Sequence, residues 1–174
     1  VGCHIHPSPL SFIQAIQMSC NTYFCYVFRS IIDKSGYGTI EINFSNWEKN
    51  VKSFGFGNRL GIDLPNETRG NVPTVSYYDR YYHKGGWNSL SIISLSIGQG
   101  ELGTTPLQIA NLAATIANRG FFYTPHVVKE IKGEAGIDPK YIERHTTTVD
   151  STWFNYIVDG MEMAVNVPGG TGTI

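Results

Sequence analysis

The segment 94–120, SLSIGQGELGTTPLQIANLAATIANRG, contains the clearest helix start and helix stop in the chain. Thr105 can cap a helix, Pro106 fits the first helical position, and Gln108 completes a Thr-x-x-Gln capping box. The residues that follow are apolar or small on nearly every face until 118–120, Asn-Arg-Gly, which offers a cation and a C-terminal glycine. We therefore expect a buried helix that begins at Pro106 and lies at the centre of a layered domain.

Three glycines upstream of this helix match the dinucleotide-binding pattern G-x-G-x-x-G: Gly98, Gly100 and Gly103. They follow the strand-like stretch 90–97. In that motif the helix begins within the glycines, so that its N-terminus holds the pyrophosphate. Here the cap, Thr105, comes after the third glycine, and Glu101 would place a carboxylate beside the phosphates. We therefore expect that this glycine pattern does not bind a nucleotide.

The length and net charge of this chain are those of an ordinary globular protein. The chain has 174 residues, of which 41% are hydrophobic, and a net charge of −1, so it can form one domain with a core. The absence of a basic excess argues against nucleic acid as a partner. The uncharged stretch 1–28 is interrupted by prolines and polar residues, which favours a buried segment over a membrane span, and we do not expect it to act as a signal peptide. Three cysteines are too few for a disulfide framework.

The hydrophobic periodicity predicts a mixed, helix-rich α/β fold. The expected helices are a short one up to Met18, a second ending at Lys34 with Gly36 as its cap, and others at 45–54 and 151–165. Both Ser8-Pro9 and Ser11-x-x-Gln14 resemble a start of the first helix, and Ser19 and Asn21 are expected at the joint between the first two. A strand is expected at 126–131, and residues 66–86 are expected to form a long surface loop. The abrupt start at Val1 and the Gly-rich end suggest a piece of a larger protein, with 1–174 as one incomplete domain.

Two short patterns suggest nucleophilic chemistry. Ser19-Cys20-Asn21 is the only Ser-x-Asn in the chain, although a Ser or Asn at a helix start is usually only a cap. Residues 34–36, Lys-Ser-Gly, have the composition of the Lys-Ser/Thr-Gly motif of serine acyltransferases. We reject this match because that motif needs a strand, whereas Lys34 is expected at the end of a helix.

The segment Cys3-His4-Ile5-His6 contains residue types that bind zinc. No further ligand follows at a recognisable spacing, so we assign no metal ligands and expect no cofactor. Whether Cys3 and its neighbouring histidines bind a metal stays open. The other histidines are scattered along the sequence, and they do not form an arguable Ser-His-Asp arrangement.

The order and spacing of several motifs are more specific than any one of them. They are Ser19-Cys20-Asn21 with Thr22-Tyr23-Phe24, Phe54-Gly-Phe-Gly57, Gly61-Ile-Asp-Leu64, Gly70-Asn-Val-Pro-Thr74, Ile97-Gly-Gln-Gly100, Thr105-Pro-Leu-Gln108 and Tyr123-Thr-Pro-His126. Through essentially its whole length, the chain resembles the transpeptidase domain of class B penicillin-binding proteins. Within that class it is most similar to the elongation-type, rod-shape enzyme.

The resemblance implies a serine β-lactamase/D,D-peptidase-like fold and a serine D,D-transpeptidase. Such enzymes cross-link peptidoglycan stem peptides ending in D-Ala-D-Ala through an acyl-serine, and β-lactams trap the same serine. Ser19 matches the motif serine that relays a proton, and Asn21 matches the amide that holds the catalytic lysine and the substrate. The middle residue, Cys20, would then serve packing. The resemblance further implies a lateral-wall glycosyltransferase as partner and a periplasmic location with an N-terminal membrane anchor.

The chain departs from the family pattern in two places. It contains no Ser-x-x-Lys, and its terminal Gly-Gly-Thr-Gly-Thr at 169–173 lacks the lysine of Lys-Thr-Gly. The resemblance therefore implies that the nucleophile, its base and the oxyanion strand lie outside this sequence. A non-catalytic β-lactam sensor or scaffold domain is the alternative function, and the flanking sequences would distinguish the two.

Overall fold

A computed structural model describes residues 2–8, 10–34, 36–133 and 136–173. Its helices are α1 (Phe12–Gln17), α2 (Asn21–Ile32), α3 (Ile40–Ser53), α4 (Val75–Tyr82), α5 (Pro106–Ala117) and α6 (Phe154–Asn166). Two short strands, β1 (Phe121–Tyr123) and β2 (Arg144–Thr146), pair antiparallel with Phe121 opposite Thr146. Short 3₁₀ helices cover Ile93–Ile97, Pro139–Tyr141 and Ser151–Trp153. The mixed, helix-rich fold class predicted from the sequence is confirmed.

Complete capping boxes begin α1 and α5 at residues that the sequence indicated. Ser11 and Thr105 each form a complete capping box, with Gln14 and Gln108 as the reciprocal partners. Each box satisfies two backbone N–H groups that the first helical turn leaves without partners. α5 therefore begins at Pro106, as predicted.

One hydrophobic cluster joins α2, α3 and α4. Its buried members are Phe28, Ile32, Phe44, Tyr78, Trp87, Ile92 and Leu95. The ring of Phe44 lies with its centroid 5.5 Å from those of both Tyr78 and Trp87, in edge-to-face geometry that favours aromatic pairs. This cluster fixes the orientation of α2, the helix that begins at the Ser-x-Asn motif.

A second contact holds α1 against α6. Gly160 of α6 lies so close to Ile16 that an added Cβ would come within 2.7 Å of the Ile16 side chain. Phe154, at the start of α6, is fully buried. The two helices therefore meet at a small residue, which fixes the position of the turn between α1 and α2.

The predicted surface loop at 66–86 is wrong in its second half, where α4 lies. Thr74 caps this helix by accepting a hydrogen bond from the backbone N–H of Tyr77. Tyr78 is fully buried, and its hydroxyl donates to Glu101 Oε2 at 2.9 Å. The tyrosines suggested a polar exposed loop, but the apolar ring of Tyr78 packs in the core while its hydroxyl finds a polar partner.

Neither predicted strand forms. Residues 93–97 form a 3₁₀ helix, because Ile92 and Leu95 are spaced to bury the same side of a helical turn. At 126–131 the backbone N–H groups of Val127 and Val128 donate to the carboxylate of Asp63 instead of to a neighbouring strand. Without a strand before Gly98, the glycines also lack the strand–turn–helix context of a dinucleotide site.

Two predicted helix boundaries are corrected. α3 begins at Ile40 rather than at 45, because Thr39 caps it by accepting a hydrogen bond from Ile42 N. α2 ends at Ile32 with Asp33 as its C-cap, so Lys34 lies beyond the helix and Gly36 is not its cap. Ser35, the middle residue of the rejected Lys-Ser-Gly pattern, lies outside the described residues. By contrast, the helix predicted at 151–165 is present as a 3₁₀ turn followed by α6.

The burial predicted for α5 is wrong on most of its surface. The buried residues are the polar Gln108, Asn111 and Thr115, whereas Ile109 is 50% exposed and Ala113 is also exposed. The buried three recur at helical spacing and therefore form one face. Gln108 and Asn111 donate to backbone carbonyls of the segment 54–69, and Thr115 donates to the carbonyl oxygen of Asn111. Each of these polar side chains therefore has a partner in the interior.

We expect Ala113→Glu to change the free energy of unfolding of this chain by less than about 0.5 kcal/mol, because Ala113 is exposed. Urea denaturation followed by circular dichroism measures the change. A loss of several kcal/mol would show that another part of the molecule covers this face of α5.

Gly70 adopts a positive φ of 64° and lies against the loop before α5. An added Cβ would overlap the carbonyl oxygen of Gly103 and the Gln108 side chain. The backbone of Asn71 pairs with that of Gly103 in an isolated antiparallel bridge. The Gly-Asn-Val-Pro-Thr motif therefore needs glycine at its first position so that the two segments can approach.

Within the described residues, no helix has the length and hydropathy needed to cross a membrane.

Candidate active site at the Ser-Cys-Asn turn

Ser19 and Cys20 lie in the tight turn between α1 and α2, and Asn21 is the first residue of α2, so the motif stands at the predicted joint between two helices. Ser19 has a φ of 48°, in the left-handed region that non-glycine residues seldom occupy. The backbone N–H of Cys20 donates to Ala15 O at 2.9 Å, which closes α1. Left-handed backbone at a non-glycine residue costs free energy and is concentrated at functional sites.

The three residues alternate in exposure. Ser19 is exposed, Cys20 is only 3% exposed, and Asn21 is half-buried. The hydroxyl and the amide are thus presented on the surface while the intervening thiol points inward. The burial of Cys20 agrees with the expectation that it packs.

Cys20 is the N-cap of α2. Its Sγ accepts a hydrogen bond from the backbone N–H of Tyr23 at 3.3 Å. Burial raises the pKa of this thiol. Cys20 therefore determines where α2 begins and, with it, where Asn21 lies.

The amide of Asn21 contacts the N-terminal segment 2–8. Its Nδ2 donates to the carbonyl oxygen of Gly2 at 2.9 Å. The segment therefore lies across the start of α2 and is part of the surroundings of the candidate site.

The Cys-His segment, left open by the sequence, lies beside the same turn. Cys3 Sγ is 3.2 Å from His6 Nε2 and 3.6 Å from Cys20 Sγ, so three potential metal ligands meet. His4 is not part of this group. Sequence spacing could not reveal this cluster, because its third member is Cys20. Cys20 is the middle residue of the Ser-x-Asn motif and had been expected only to pack.

The thiols of Cys3 and Cys20 have pKa values shifted in opposite directions. The backbone N–H of Thr22 lowers the pKa of Cys3 to about 6, and the hydrogen bond with His6 acts in the same direction. The carbonyl oxygen of Pro7 raises the pKa of His6, and the contact with Cys3 adds to this effect. The exposed thiol is thus the more easily ionised of the pair.

Lys34 is not part of this site. Its Nζ lies 4.0 Å from the centroid of the Tyr37 ring, and the residue follows the end of α2 rather than lying on a strand. This geometry supports the rejection of Lys34-Ser35-Gly36 as a Lys-Ser/Thr-Gly motif.

Residues 4–174 match the model of the penicillin binding protein transpeptidase domain. The chain belongs to this family. Among its relatives are the peptidoglycan D,D-transpeptidases MrdA of Haemophilus influenzae, 36% identical over 163 residues and 91% of this chain, and of Acinetobacter baumannii, 38% identical over 120 residues and 69% of this chain. These matches cover 23% and 16% of the two relatives, so this transpeptidase-family chain spans less than a quarter of their length.

Solved structures have the same fold. PBP2 of Pseudomonas aeruginosa, crystallised in complex with WCK 5153, is 28% identical with a TM-score of 0.71, covering 93% of this chain and 34% of that chain. PBP2 of Helicobacter pylori is 25% identical with a TM-score of 0.71, covering 93% of this chain and 27% of that chain. The resemblance to elongation-type class B transpeptidase domains is therefore confirmed, whereas the roles of Ser19 and Asn21 stay predictions.

Proposed function

We propose that this chain forms part of a peptidoglycan D,D-transpeptidase, which cross-links stem peptides through an acyl-serine intermediate and is acylated by β-lactams. The family match over residues 4–174 carries the proposal. The transpeptidase relatives, which include enzymes named MrdA, support the elongation-type reading.

Within that enzyme the side chains of Ser19 and Asn21 would face the substrate. The exposed Ser19 hydroxyl can both donate and accept a hydrogen bond, so it can relay a proton to the departing amine. The Asn21 amide can donate to one group and accept from another, which suits it to hold a lysine and a substrate amide together. The left-handed backbone at Ser19 and the cap at Cys20 set the relative placement of these two groups.

The nucleophile would come from sequence beyond this chain. The sequence has no Ser-x-x-Lys, and Thr22 stands where a lysine would follow Ser19. Acylation requires a serine activated by an adjacent base and an oxyanion hole. We infer that the chain is one segment of a larger transpeptidase domain, in agreement with its coverage of 34% of the Pseudomonas aeruginosa PBP2 chain.

We predict that this chain alone forms no covalent adduct with penicillin. The experiment incubates the purified chain with a fluorescent penicillin and measures its intact mass. A longer protein that contains this chain together with a Ser-x-x-Lys motif serves as the positive control, and it should be labelled once per molecule. A stoichiometric adduct on the short chain, mapped to one of its serines, would contradict the assignment of the nucleophile.

The relatives also suggest the surroundings in which the enzyme works. PBP2 of Helicobacter pylori, 26% identical with a TM-score of 0.67, has been solved in complex with MreC. We infer that the protein containing this chain works in a cell-wall assembly beside a glycosyltransferase, on the periplasmic side of the bacterial inner membrane. Co-purification of the membrane-anchored protein with such partners would test this.

A further inference from the structure

A groove runs along one side of α2, from the residue after Asn21 into the last turn of the helix. It has a volume of about 270 Å³ and is lined by Thr22, Cys25, Tyr26, Arg29, Leu90 and Ile93. The lining residues of α2 recur at helical spacing and therefore lie on one face. Between Thr22 and Arg29 the helix rises by about 10 Å, which is the length of about three residues of extended peptide.

Hydrogen bonds hold the wall opposite α2 in place. Cys25 Sγ lies 3.1 Å from Ser96 Oγ, and the Ser96 hydroxyl donates to the carbonyl oxygen of Ile93 at 2.6 Å. Ser89 donates to Asp33 Oδ2 at 2.7 Å, just beyond the end of α2. The wall is thus fixed to α2 at both of its ends, so the groove is formed before any ligand binds.

The groove combines exposed apolar surface with one cation. Tyr26 is 67% exposed and Leu90 is 59% exposed, although both are large hydrophobic residues. In the last turn of α2, Arg29 Nε lies 3.3 Å from Asp33 Oδ2, and the arginine side chain is 53% exposed. This pair engages one N–H of the guanidinium, whose other donors can bind a second carboxylate. The groove therefore suits an extended peptide that ends in a carboxylate.

The position of the groove relates it to the second half of the proposed reaction. In that half the amine nitrogen of a neighbouring stem peptide forms a bond to the acyl carbon. The bond between this carbon and the serine oxygen breaks, and the amine passes one proton to that oxygen. By microscopic reversibility, the group that protonates the departing amine also receives the proton of the attacking amine. Ser19 has this role in the proposed function, so the acceptor peptide approaches the Ser-x-Asn turn, where the groove begins at Thr22.

We infer that this groove binds the acceptor stem peptide and that Arg29 pairs with the carboxylate at the end of that peptide. The inference rests on the proposed transpeptidase function and assigns a binding site to its second substrate. An acceptor that is itself a stem peptide ending in D-Ala-D-Ala brings a terminal carboxylate together with its amine. With the amine at Ser19 and the carboxylate at Arg29, the peptide between them lies along Tyr26 and Leu90.

The test uses a longer protein that carries this chain and its nucleophile. A donor peptide ending in D-Ala-D-Ala acylates the protein, and the acyl-enzyme then divides between hydrolysis and transfer to an acceptor stem peptide. Mass spectrometry of the two products gives the acceptor concentration at which transfer is half-maximal. Two acceptors are compared, one with a free terminal carboxylate and one with a terminal carboxamide. We expect the carboxylate acceptor to need an about 10-fold lower concentration, the factor expected for one charge-assisted hydrogen bond.

Variants of the groove separate the contribution of its cation from that of its apolar surface. Arg29→Gln should abolish the preference for the carboxylate acceptor, and Arg29→Lys should keep part of it. Leu90→Ser should weaken both acceptors equally, by about 3-fold, because it removes apolar surface and no charge. Arg80→Gln is the matched control, since it removes an exposed arginine of α4 that lies outside the groove, and it should keep the full preference. Circular dichroism verifies that each variant keeps its fold.

The acceptor groove is wrong if the acylated wild-type protein does not distinguish the two acceptors, if Arg29→Gln keeps the preference, or if Arg80→Gln loses it as well. Failure of the wild-type protein to be acylated by the donor or by a β-lactam would instead overturn the proposed transpeptidase function, on which the groove depends.

Discussion

Ser19→Ala, made in a longer protein that carries this chain and its nucleophile, should slow acylation by a β-lactam by about 10²- to 10⁴-fold. The reason is that a positioned acid–base group contributes a factor of this size, equivalent to about 3–5 kcal/mol of barrier. Stopped-flow fluorescence with a reporter β-lactam measures the rate. The Ser19 hydroxyl lies on an exposed turn, so the fold itself should change little.

The left-handed backbone at Ser19 calls for a second variant. Alanine at a φ of 48° is itself strained, whereas glycine adopts this conformation readily. Serine carries the same strain in the wild type, so Ser19→Gly removes the hydroxyl and relieves the strain, and it should slow acylation as much as Ser19→Ala. Ser30→Ala, which removes an exposed hydroxyl further along α2, should leave the rate unchanged. If Ser19→Gly acylates at the wild-type rate, Ser19 has only a conformational role.

Gln108→Leu should lower the free energy of unfolding by about 3–5 kcal/mol, because its amide connects three loop carbonyls in the interior. Gln108 is 2% exposed, and the two N–H groups of its Nε2 are shared among the carbonyl oxygens of Gly55 at 3.2 Å, Asn58 at 3.0 Å and Arg69 at 2.9 Å. Its Oε1 accepts from Thr105 N at 3.0 Å. Leucine has similar bulk but can satisfy none of these groups.

Urea denaturation of the chain, followed by circular dichroism and by tryptophan fluorescence, measures this loss. Gln99→Leu is the control, because Gln99 is exposed in the loop before α5. It should shift the free energy of unfolding by no more than about 0.5 kcal/mol. Equal stability of the two variants would show that the Gln108 amide contributes nothing beyond its volume.

Local backbone chemistry explains the predictions that were confirmed. Thr105, Pro106 and Gln108 begin α5 as the sequence indicated, and Ser11 with Gln14 begins α1. Each cap depends on residues within one helical turn, so three or four neighbouring letters suffice to specify it. The order of short motifs likewise identified the family, which the match over residues 4–174 confirmed.

The predictions that were wrong concern segments whose structure depends on residues far away in the sequence. The stretch 126–131 alternates as a strand would, but Asp63 takes the N–H groups of Val127 and Val128. Tyr78 appeared to belong to an exposed loop, yet Phe44 and Trp87 enclose it. A short pattern cannot reveal partners that lie tens of residues away, and such partners override local preference.

Sequence alone therefore determined the family, the start of α5 and the placement of Ser19 and Asn21 where α1 ends and α2 begins. Tertiary structure decided which faces are buried. α5 buries its polar Gln108 because loop carbonyls need donors there, and it exposes alanines that appeared suited to a core. Tertiary structure also brought Cys20 against Cys3 and His6, because the segment 2–8 lies across the start of α2, where the Asn21 amide donates to the carbonyl oxygen of Gly2.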